Sequence, residues 1–339
     1  METTPAKPNK SQRPRWYIIL VVILSGILLY FALQGISWNE VLATVKQSDL
    51  KFLSLSIGLG TISLFMRGVR WGVLLSNEKK ISPWTMLWNI AIGYLGNLFL
   101  PARAGEVVRS VVLGRKTGIS ISYIFATAIT ERVIDAVILV VAGAALLPTQ
   151  ANLPAWLPQA LQIMAVLGAA AILFLIIAPL FEPFLQKVLN LLPLPAAWKA
   201  KLGQFMSQFL LGGRAFVHPK RAVGFLLYSV VIWSLDTLSA VVTAHALHLS
   251  ISMSQAFLFL VALGLSSAIP STPGYVGVYQ FVAVSVLPIF GINRSQALVY
   301  VLVMQAIGII VNVILGIIGV WQLGIRREDW KAQPQNDQL

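Results

Sequence analysis

The sequence contains no cysteine and is poor in charged residues. None of its 339 residues is cysteine, which excludes disulfides, thiolate metal ligands and thiol nucleophiles. Charged residues make up 11% of the chain, whereas soluble domains carry about 25%. That share is too small to cover a surface exposed to water. The three histidines, His218, His245 and His248, lack the spacing of metal ligands, so we predict neither a metal site nor a cofactor.

The sequence also lacks the short motifs of nucleotide-binding and hydrolytic enzymes. It has no glycine-rich phosphate loop and no dinucleotide fingerprint, and no serine lies in a nucleophile elbow. The net charge is +13, but the basic residues lie in short loops beside apolar segments, without a basic patch that contains interleaved aromatic residues. We therefore predict that the protein is not an enzyme and binds no nucleic acid.

Long apolar segments are what the sequence has in abundance. Hydrophobic residues make up 57% of the chain, and residues 16–33, 161–178 and 298–323 are nearly free of charge. A helix needs about 20 apolar residues to cross the hydrocarbon core of a bilayer, so the sequence predicts an all-α polytopic membrane protein. The first segment follows basic residues, as in a signal peptide, but its length and the lack of a cleavage site predict a retained helix.

Six uninterrupted apolar segments and two broken ones can be distinguished. The six predict full transmembrane helices at residues 16–33, 52–75, 120–147, 161–181, 222–247 and 296–323. The broken regions are residues 84–114, interrupted at Pro101–Gly105, and residues 255–290, interrupted at Pro270–Gly274. Irregular backbone at membrane depth is tolerated only inside protein or along a wet cavity, so we predict a re-entrant helical hairpin at each. The alternative is a pair of full spans at each.

The distribution of basic residues predicts the topology. Loops assigned to the inside hold 17 Lys and Arg residues, and loops assigned to the outside hold 3, which is the asymmetry of the positive-inside rule. We therefore predict a protein of the cytoplasmic (inner) membrane with both termini in the cytoplasm. Residues 1–15 and 324–339 are predicted as tails that flank one transmembrane domain, residues 16–323.

The order of elements repeats along the chain. Each half, residues 16–147 and 161–323, reads span, span, hairpin, span. Pro101 and Pro270 are 169 residues apart, and so are Gly105 and Gly274. The first half starts from the inside and the second from the outside, so the pattern predicts an inverted repeat, in which interrupted segments of this kind mark a transport site near the midplane.

Three groups of charged residues lie within the apolar segments, where charges are costly and usually functional. The first is Arg103, Glu106 and Arg109 around Gly105. Gly105 is predicted to permit close backbone approach, and the free amides of a helix that begins there would favour an anion. Two arginines against one glutamate leave a positive site, and arginine forks match phosphate, so we predict binding of a phosphate or carboxylate there. Glu106 is three residues from each arginine and is expected to pair with either. The alternative is that the basic residues only obey topology.

The second group is Glu131, Arg132 and Asp135. Glu131 and Asp135 share a helix face, and Arg132 can reach Asp135 at i,i+3. Because unpaired buried charges are costly, we predict an ion pair between Arg103 or Arg109 and one of these carboxylates. This group is predicted to belong to the substrate site, and a purely structural ion-pair network is the alternative.

The third group is Arg67, Arg70 and Asp236. Asp236 lies deep in its span and needs a basic partner, and Arg67 is its equivalent 169 residues earlier, so the two are a candidate pair. Reach of Arg67 to the membrane surface is the alternative. A structural or gating role is predicted for several further residues, and interhelical hydrogen bonding is their alternative. They are Asn97, Pro101, Pro270, Pro273, Gly274, Tyr279 and Gln280, with Gln305 and Asn312 as further cavity candidates.

Three strings, NLFLPARAGEVVR (97–109), TERVID (130–135) and IPSTPGYVGVYQ (269–280), resemble the lysylphosphatidylglycerol synthase transmembrane-region family of flippase-like integral membrane proteins. The resemblance implies the handling of charged phospholipids between leaflets, and it marks the charged residues at 103–109 and 131–135 and the prolines and glycine at 270–274. Relatives have Gly-Gly after the second proline and an acid near the end of that string, where Tyr275 and Gln280 stand here. Because no aminoacyl-transfer domain follows residue 323, synthase activity is not expected.

These observations predict a translocator of phospholipids or lipid-linked anions, with membrane lipids of anionic head group as partners. One alternative is a non-catalytic membrane subunit that scaffolds a separate lipid-modifying or glycosyl-transfer enzyme. An intramembrane enzyme that uses Glu131 and Asp135 as acid and base is a third, less favoured alternative. A partner enzyme or a homo-oligomer is compatible with the sequence.

Overall fold

A computed structural model describes residues 15–100, 104–147, 182–192, 219–267 and 272–325, with isolated positions between 159 and 218. Every regular element in these ranges is helical. The helices of the first half are α1 (Arg15–Leu33), α2 (Trp38–Lys46), α3 (Leu50–Leu75), α4 (Pro83–Phe99), α5 (Gly105–Thr117) and α6 (Ile121–Leu146). Those that follow are α7 (Glu182–Leu191), α8 (Pro219–Ala246), α9 (Met253–Ser266), α10 (Val278–Val286) and α11 (Arg294–Gln322), with short 3-10 turns at Pro273–Tyr275 and Leu287–Phe290.

Among the described residues, four segments are long and apolar enough to cross a membrane: α3, α8, α11 and the kinked segment Pro273–Phe290. The pair α1 and α2, bent by 86°, makes a fifth candidate. Helix α6 has 26 residues and is therefore about 39 Å long. It is not counted among these segments because three charged residues, Glu131, Arg132 and Asp135, lie near its middle. The prediction of an all-helical, multi-pass membrane protein is confirmed.

The predicted spans agree with the helices wherever the structure describes them. Residues 52–75, 222–247 and 296–323 correspond to α3, α8 and α11, while residues 16–33 and 120–147 correspond to α1 and α6. The predicted span 161–181 lies outside the described residues. Helix α2 was not predicted: residues 34–51 were assigned only to an outside loop, although Glu40 and Lys46 at its two ends suit the helix dipole.

Side-chain caps fix where several helices begin. Asp49 precedes α3, and its carboxylate accepts a hydrogen bond of 2.8 Å from the amide of Lys51. Asn293 precedes α11 and forms a reciprocal capping box with Gln296, which satisfies two amide donors that the first turn leaves free. Gly118 ends α5 with a φ of 76°, a left-handed conformation that glycine adopts without strain.

Helices α3 and α8 form the central pair. Ser56, early in α3, exchanges hydrogen bonds of 3.3 Å with Ser239, late in α8, while Arg70, late in α3, lies against Phe225, early in α8. The two helices therefore run antiparallel. Helix α11 approaches α4 closely at Gly316 and Gly319, because glycine has no side chain. A Cβ at these positions would lie within 3 Å of atoms of α4. Small residues at such contacts let membrane helices pack by van der Waals contact.

Candidate functional site

Arg70 is the most deeply buried charge of the described structure, and α6 supplies its partners. Its side chain is fully buried. Its guanidinium reaches Asp135 at 2.5 and 2.8 Å and Glu131 at 2.7 Å. It also donates 2.9 Å to the hydroxyl of Ser229 on α8 and stacks over the ring of Phe225. Such a bidentate pair is shorter and stronger than a neutral hydrogen bond.

Arg109 of α5 continues this network towards the first break. Its Nη2 donates a hydrogen bond of 3.0 Å to the second carboxylate oxygen of Glu131. Its Nε lies 2.5 Å from a carboxylate oxygen of Glu106. Its guanidinium lies 4.1 Å from the centre of the Trp71 ring. Arg109 is 2% exposed. The predicted ion pair between the first and second charged groups is therefore present.

Arg132 is the last member of the network. Its Nε donates a hydrogen bond of 3.1 Å to the carboxylate of Glu106, and its Nη2 donates one of 3.0 Å to the hydroxyl of Tyr94. The i,i+3 spacing would allow Arg132 to reach Asp135, but Asp135 pairs with Arg70 on α3 and Arg132 pairs with Glu106 on α5. Arg132 is the most exposed member, with 28% of its side chain accessible.

The network is a single line of alternating charges. Its order is Asp135, Arg70, Glu131, Arg109, Glu106 and Arg132. Each interior member contacts a partner of opposite charge on both sides, which compensates the desolvation cost of buried ions. With Glu106 shared between two arginines, the expected excess of positive charge at the first break is balanced by carboxylates.

A separate ion pair joins α3 to α8. Arg67 contacts Asp236, which also accepts a hydrogen bond of 2.5 Å from Ser63. The guanidinium lies 5.4 Å from the centre of the Trp233 ring. The candidate pairing of Arg67 with Asp236 is therefore confirmed.

A cavity of about 410 Å³ lies between these two charged groups. Its charged walls are Arg67 and Asp236 on one side and Glu106 and Arg132 on the other. Polar and aromatic side chains also line it: Tyr94, Asn97, Trp233, Tyr275, Tyr279, Gln305 and Asn312. Other lining residues are aliphatic, among them Leu64, Leu260, Val301 and Val311. The cavity therefore offers a ligand four charged side chains and several hydrogen-bonding groups within a wall that also contains hydrocarbon.

The second break forms another wall of the cavity through an irregular backbone. Gly274 and Gly277 have φ values of 74° and 88°, and Tyr275 between them has a φ of 60°, which is strained for a bulky residue. The ring of Tyr275 stacks on Tyr279, with centroids 4.7 Å apart. Gln305 of α11 holds the turn by donating 3.0 Å to the carbonyl of Gly274.

Residues 18–316 match the sequence pattern described as the lysylphosphatidylglycerol synthase TM region. The chain belongs to this family. A relative within curated proteins is the UPF0104 membrane protein PH1989 of Pyrococcus horikoshii, 25% identical over an alignment of 326 residues that covers 88% of this chain and 94% of the relative. The UPF0104 membrane protein MJ1078 of Methanocaldococcus jannaschii is 26% identical over 226 residues, or 66% of this chain and 91% of that protein.

A third relative is longer than this chain. Glycosyltransferase AglD of Haloferax volcanii is 24% identical over 301 residues, which are 78% of this chain and 47% of AglD. The chain thus spans about half the length of that relative. The family region occurs both in proteins of this size and within a larger one.

Seven residues of this family member were predicted to bind substrate, and the structure separates them. Glu106 and Arg132 line the cavity. Arg109, Glu131 and Asp135 are at most 5% exposed and are held within the charge network, so their geometry fits a supporting role instead of direct contact with a ligand. Arg103 lies outside the described residues, as do Pro101 and Pro270.

Gly105 was predicted to permit close backbone approach and to present a free amide to a ligand. The first expectation is correct, because a Cβ there would lie 1.9 Å from the carbonyl oxygen of Gly93. The second is wrong, because its amide donates 2.9 Å to Asn97 Oδ1. Asn97 therefore fixes the start of α5 as well as lining the cavity.

Those predicted gating residues that the structure describes lie around the cavity or beside it. Tyr279 and Gly274 line it, and Pro273 starts the turn that precedes Tyr275. Gln280 accepts a hydrogen bond of 2.7 Å from the amide of Gly277 and donates one of 2.5 Å to the side chain of Gln305, so it supports the turn. Within the described ranges no group of three or more His, Cys, Asp or Glu side chains could hold a metal ion.

Sequence analysis missed the importance of two residues. Arg70 was grouped with Arg67 but assigned no site role, although it joins three helices. Tyr94 was not singled out. The available signal for Arg70 was its position three residues after Arg67, which places both on one side of α3. Tyr94 offered no such signal beyond lying one turn before Asn97.

Proposed function

We propose that this protein translocates a phospholipid or a lipid-linked anion across the cytoplasmic membrane, with the polar head group passing through the 410 Å³ cavity. The observation that carries the proposal is this cavity, with four charged residues in its walls, inside a multi-pass membrane protein. A charged head group cannot cross bare hydrocarbon at reasonable cost. Charged and polar side chains inside a membrane protein are themselves costly and mark substrate paths.

The arginines of the cavity supply the contacts that a phosphate group needs. Arg67 forms an ion pair with Asp236, and Arg132 forms one with Glu106. A phosphate would share or replace these carboxylates, because guanidinium binds both groups through the same forked donors. We therefore expect Arg132 and Arg67, which line the cavity, to contact the head group instead of the buried Arg109. Arg109 would hold Glu106 in place when Arg132 turns to the ligand.

An inverted repeat is part of the proposal, and the helix positions support it. The starts of α3, α4, α5 and α6 precede those of α8, α9, α10 and α11 by 169 to 173 residues. The antiparallel pairing of α3 with α8 is the arrangement that a two-fold axis in the membrane plane produces. Transporters built from such repeats place their substrate site at the interface of the halves, where this cavity lies.

The re-entrant hairpins are supported by helix lengths. Helices α5 and α9, one from each hairpin, have 13 and 14 residues, or about 20 and 21 Å, less than the ~30 Å of a hydrocarbon core. Each would enter and return without crossing. With six full spans, both termini lie in the cytoplasm, and residues 16–323 form one domain without catalytic activity of its own.

Exchange of a labelled lipid between leaflets tests this proposal. The purified protein is reconstituted into phosphatidylcholine vesicles with phosphatidylethanolamine whose amine carries the fluorophore NBD, so that its only charge is the phosphate. Dithionite, which does not enter the vesicles, bleaches the outer leaflet. We expect the protein to expose nearly all of the probe, whereas protein-free vesicles protect about half of it.

Matched variants locate the activity in the cavity. Arg132→Gln should slow exchange, and Arg132→Lys should retain part of it because lysine keeps the charge but lacks the fork. Arg221→Gln is the control, since Arg221 bonds to Asn77 at an exposed site far from the cavity lining. All variants are compared at equal thermal stability. Wild-type protein that leaves half of the probe protected would contradict the proposal.

A second candidate is a non-catalytic subunit that scaffolds a glycosyl-transfer or lipid-modifying enzyme. The relation to AglD supports it, because the family region there is part of a longer protein that is named a glycosyltransferase. This candidate predicts no exchange by the purified chain and co-purification with an enzyme from native membranes. The vesicle experiment therefore separates the two.

A further inference from the structure

A second pocket, of about 490 Å³, lies beside the polar cavity. Its lining is mainly hydrocarbon, with Leu29 and Leu33 from α1, Val276 from the second break, and Leu298 and Leu302 from α11. None of its lining residues is charged. Both volumes fall within the range of about 300–1,000 Å³ that is usual for ligand pockets.

The two pockets share one wall. Leu98, Gly274, Gln305 and Ile309 line both of them. Helix α11 separates the two pockets. Leu298, Leu302 and Ala306 follow each other at helical spacing along the apolar pocket and do not line the polar cavity. Met304, Gly308 and Asn312 follow each other along the polar cavity and do not line the apolar pocket. Because residues three, four or seven apart share a helix face, these are neighbouring faces of one helix at the same depth.

We propose that the apolar pocket binds a hydrocarbon chain of the same lipid whose phosphate head group occupies the polar cavity. The inference rests on the proposed function. A lipid is one molecule with a charged end and an apolar end, and here a charged cavity and an apolar pocket adjoin along a single helix. The edge between them, formed by Gln305 and Ile309, is where the glycerol or linker region of the lipid would lie.

The pocket would determine orientation more than affinity. A chain that moves from bilayer to protein exchanges one apolar surrounding for another, because lipid tails are as apolar as leucine. The hydrophobic gain of about 0.8 kcal/mol per buried CH₂ applies only to transfer from water. The polar contacts of the head group therefore supply the binding free energy, and the chain pocket keeps the tail beside the head group during passage.

Photolabelling tests where the chain lies. The full-length protein is reconstituted with phosphatidylglycerol that carries a diazirine in one acyl chain, irradiated, digested and mapped by mass spectrometry. Leu302 and Val276 line the pocket and are 42% and 46% exposed, while Ile314 lines neither pocket and is 53% exposed. Random contact with bulk lipid would label all three similarly. We expect enrichment at Leu302 and Val276.

A filling substitution tests the effect on transport. Leu302→Trp should slow exchange of the NBD-labelled lipid by about tenfold, equivalent to ~1.4 kcal/mol in a barrier. Ile314→Trp, the control on the same helix, should leave exchange unchanged. Binding of glycerol 3-phosphate, which has no chain, is measured by calorimetry and should be unaffected by Leu302→Trp, which shows that the polar cavity is intact.

The outcomes separate this inference from the proposed function. If wild-type protein exchanges lipid, Arg132→Gln impairs it, and Leu302→Trp behaves as wild type, the chain site is wrong and the transport function stands. Labelling at Ile314 equal to that at Leu302 and Val276 overturns the chain site as well. Absence of exchange by wild-type protein overturns the proposed function, whereas enriched labelling would still locate a bound chain.

Discussion

The two halves of the molecule place similar helices around very different interiors. In the first half, α3, α5 and α6 carry the charges of the six-residue network. In the second half, α9 and α10 carry no charged residue, and α11 carries only Arg294 at its first position. At the positions related by 169 residues, Glu131 faces two arginines, while Tyr300 donates a single hydrogen bond to the carbonyl of Ala240.

The difference shows that similar helices can be packed with very different side chains, either with buried ion pairs or with apolar and uncharged polar groups. The described helices α9 to α11 of the second half pack mainly through apolar side chains and uncharged hydrogen-bonding groups, such as Gln280 and Tyr300. The first half depends on complete pairing, because each buried charge that loses its partner imposes a large penalty. Substitutions should therefore be far more costly in the first half than at equivalent places in the second.

The largest effect is expected at Arg70. Arg70→Leu leaves Asp135 without a cation and Glu131 with only Arg109, so it should destabilise the protein by about 3–5 kcal/mol. Reversible unfolding in mixed micelles measures this change. Combining it with Asp135→Leu removes one charge of each sign and leaves Glu131 paired with Arg109, so the double variant should regain most of the loss. A single variant as stable as wild type would contradict the network.

An intermediate effect is expected from glycine at equivalent positions. Gly105→Ala would place a Cβ 1.9 Å from the carbonyl of Gly93, so α4 and α5 must separate, and the cost should be at or above the ~1–3 kcal/mol of overpacking. Gly274→Ala meets nothing within 4 Å but has a φ of 74°, which costs about 1–2 kcal/mol. Thermal unfolding in detergent compares them, with Gly224→Ala, which has space and no positive φ, as the neutral control.

The smallest effect is expected at Tyr300. Tyr300→Phe removes a hydroxyl that donates 2.9 Å to the carbonyl of Ala240 in a fully buried place, so it should cost about 1 kcal/mol. Glu131→Gln at the related position should cost several times more, because two arginines lose their shared anion. Equal losses in the same unfolding assay would remove the contrast between the halves.

Much of the fold follows from the sequence alone. Apolar length and interruptions by proline and glycine place most helices to within a few residues, since a membrane leaves a backbone few alternatives to helix. The pairing of Arg67 with Asp236 follows from repeat spacing, and that of Arg109 with Glu131 follows from the cost of unpaired charge.

The orientation of the helices about their axes could not be predicted in the same way. The pairing of Arg132 was inferred from spacing within one helix, but its true partners come from α4 and α5. Arg70 lies 61 and 65 residues before Glu131 and Asp135, and only tertiary packing brings them together. Helix α2 is too short and too polar for an argument from membrane length.

In the inverted repeat that we propose, Arg67 and Asp236 occupy the same place in the two halves, 169 residues apart, and the structure brings them into contact. A residue that contacts its own equivalent lies on the symmetry axis between the halves. In a dimer of identical chains inserted in opposite orientations, arginine would face arginine there, or aspartate would face aspartate, and like charges at contact distance repel. An ion pair at this place requires the two halves to differ in sequence. Two halves within one chain can differ in this way, whereas two identical copies of a shorter chain cannot.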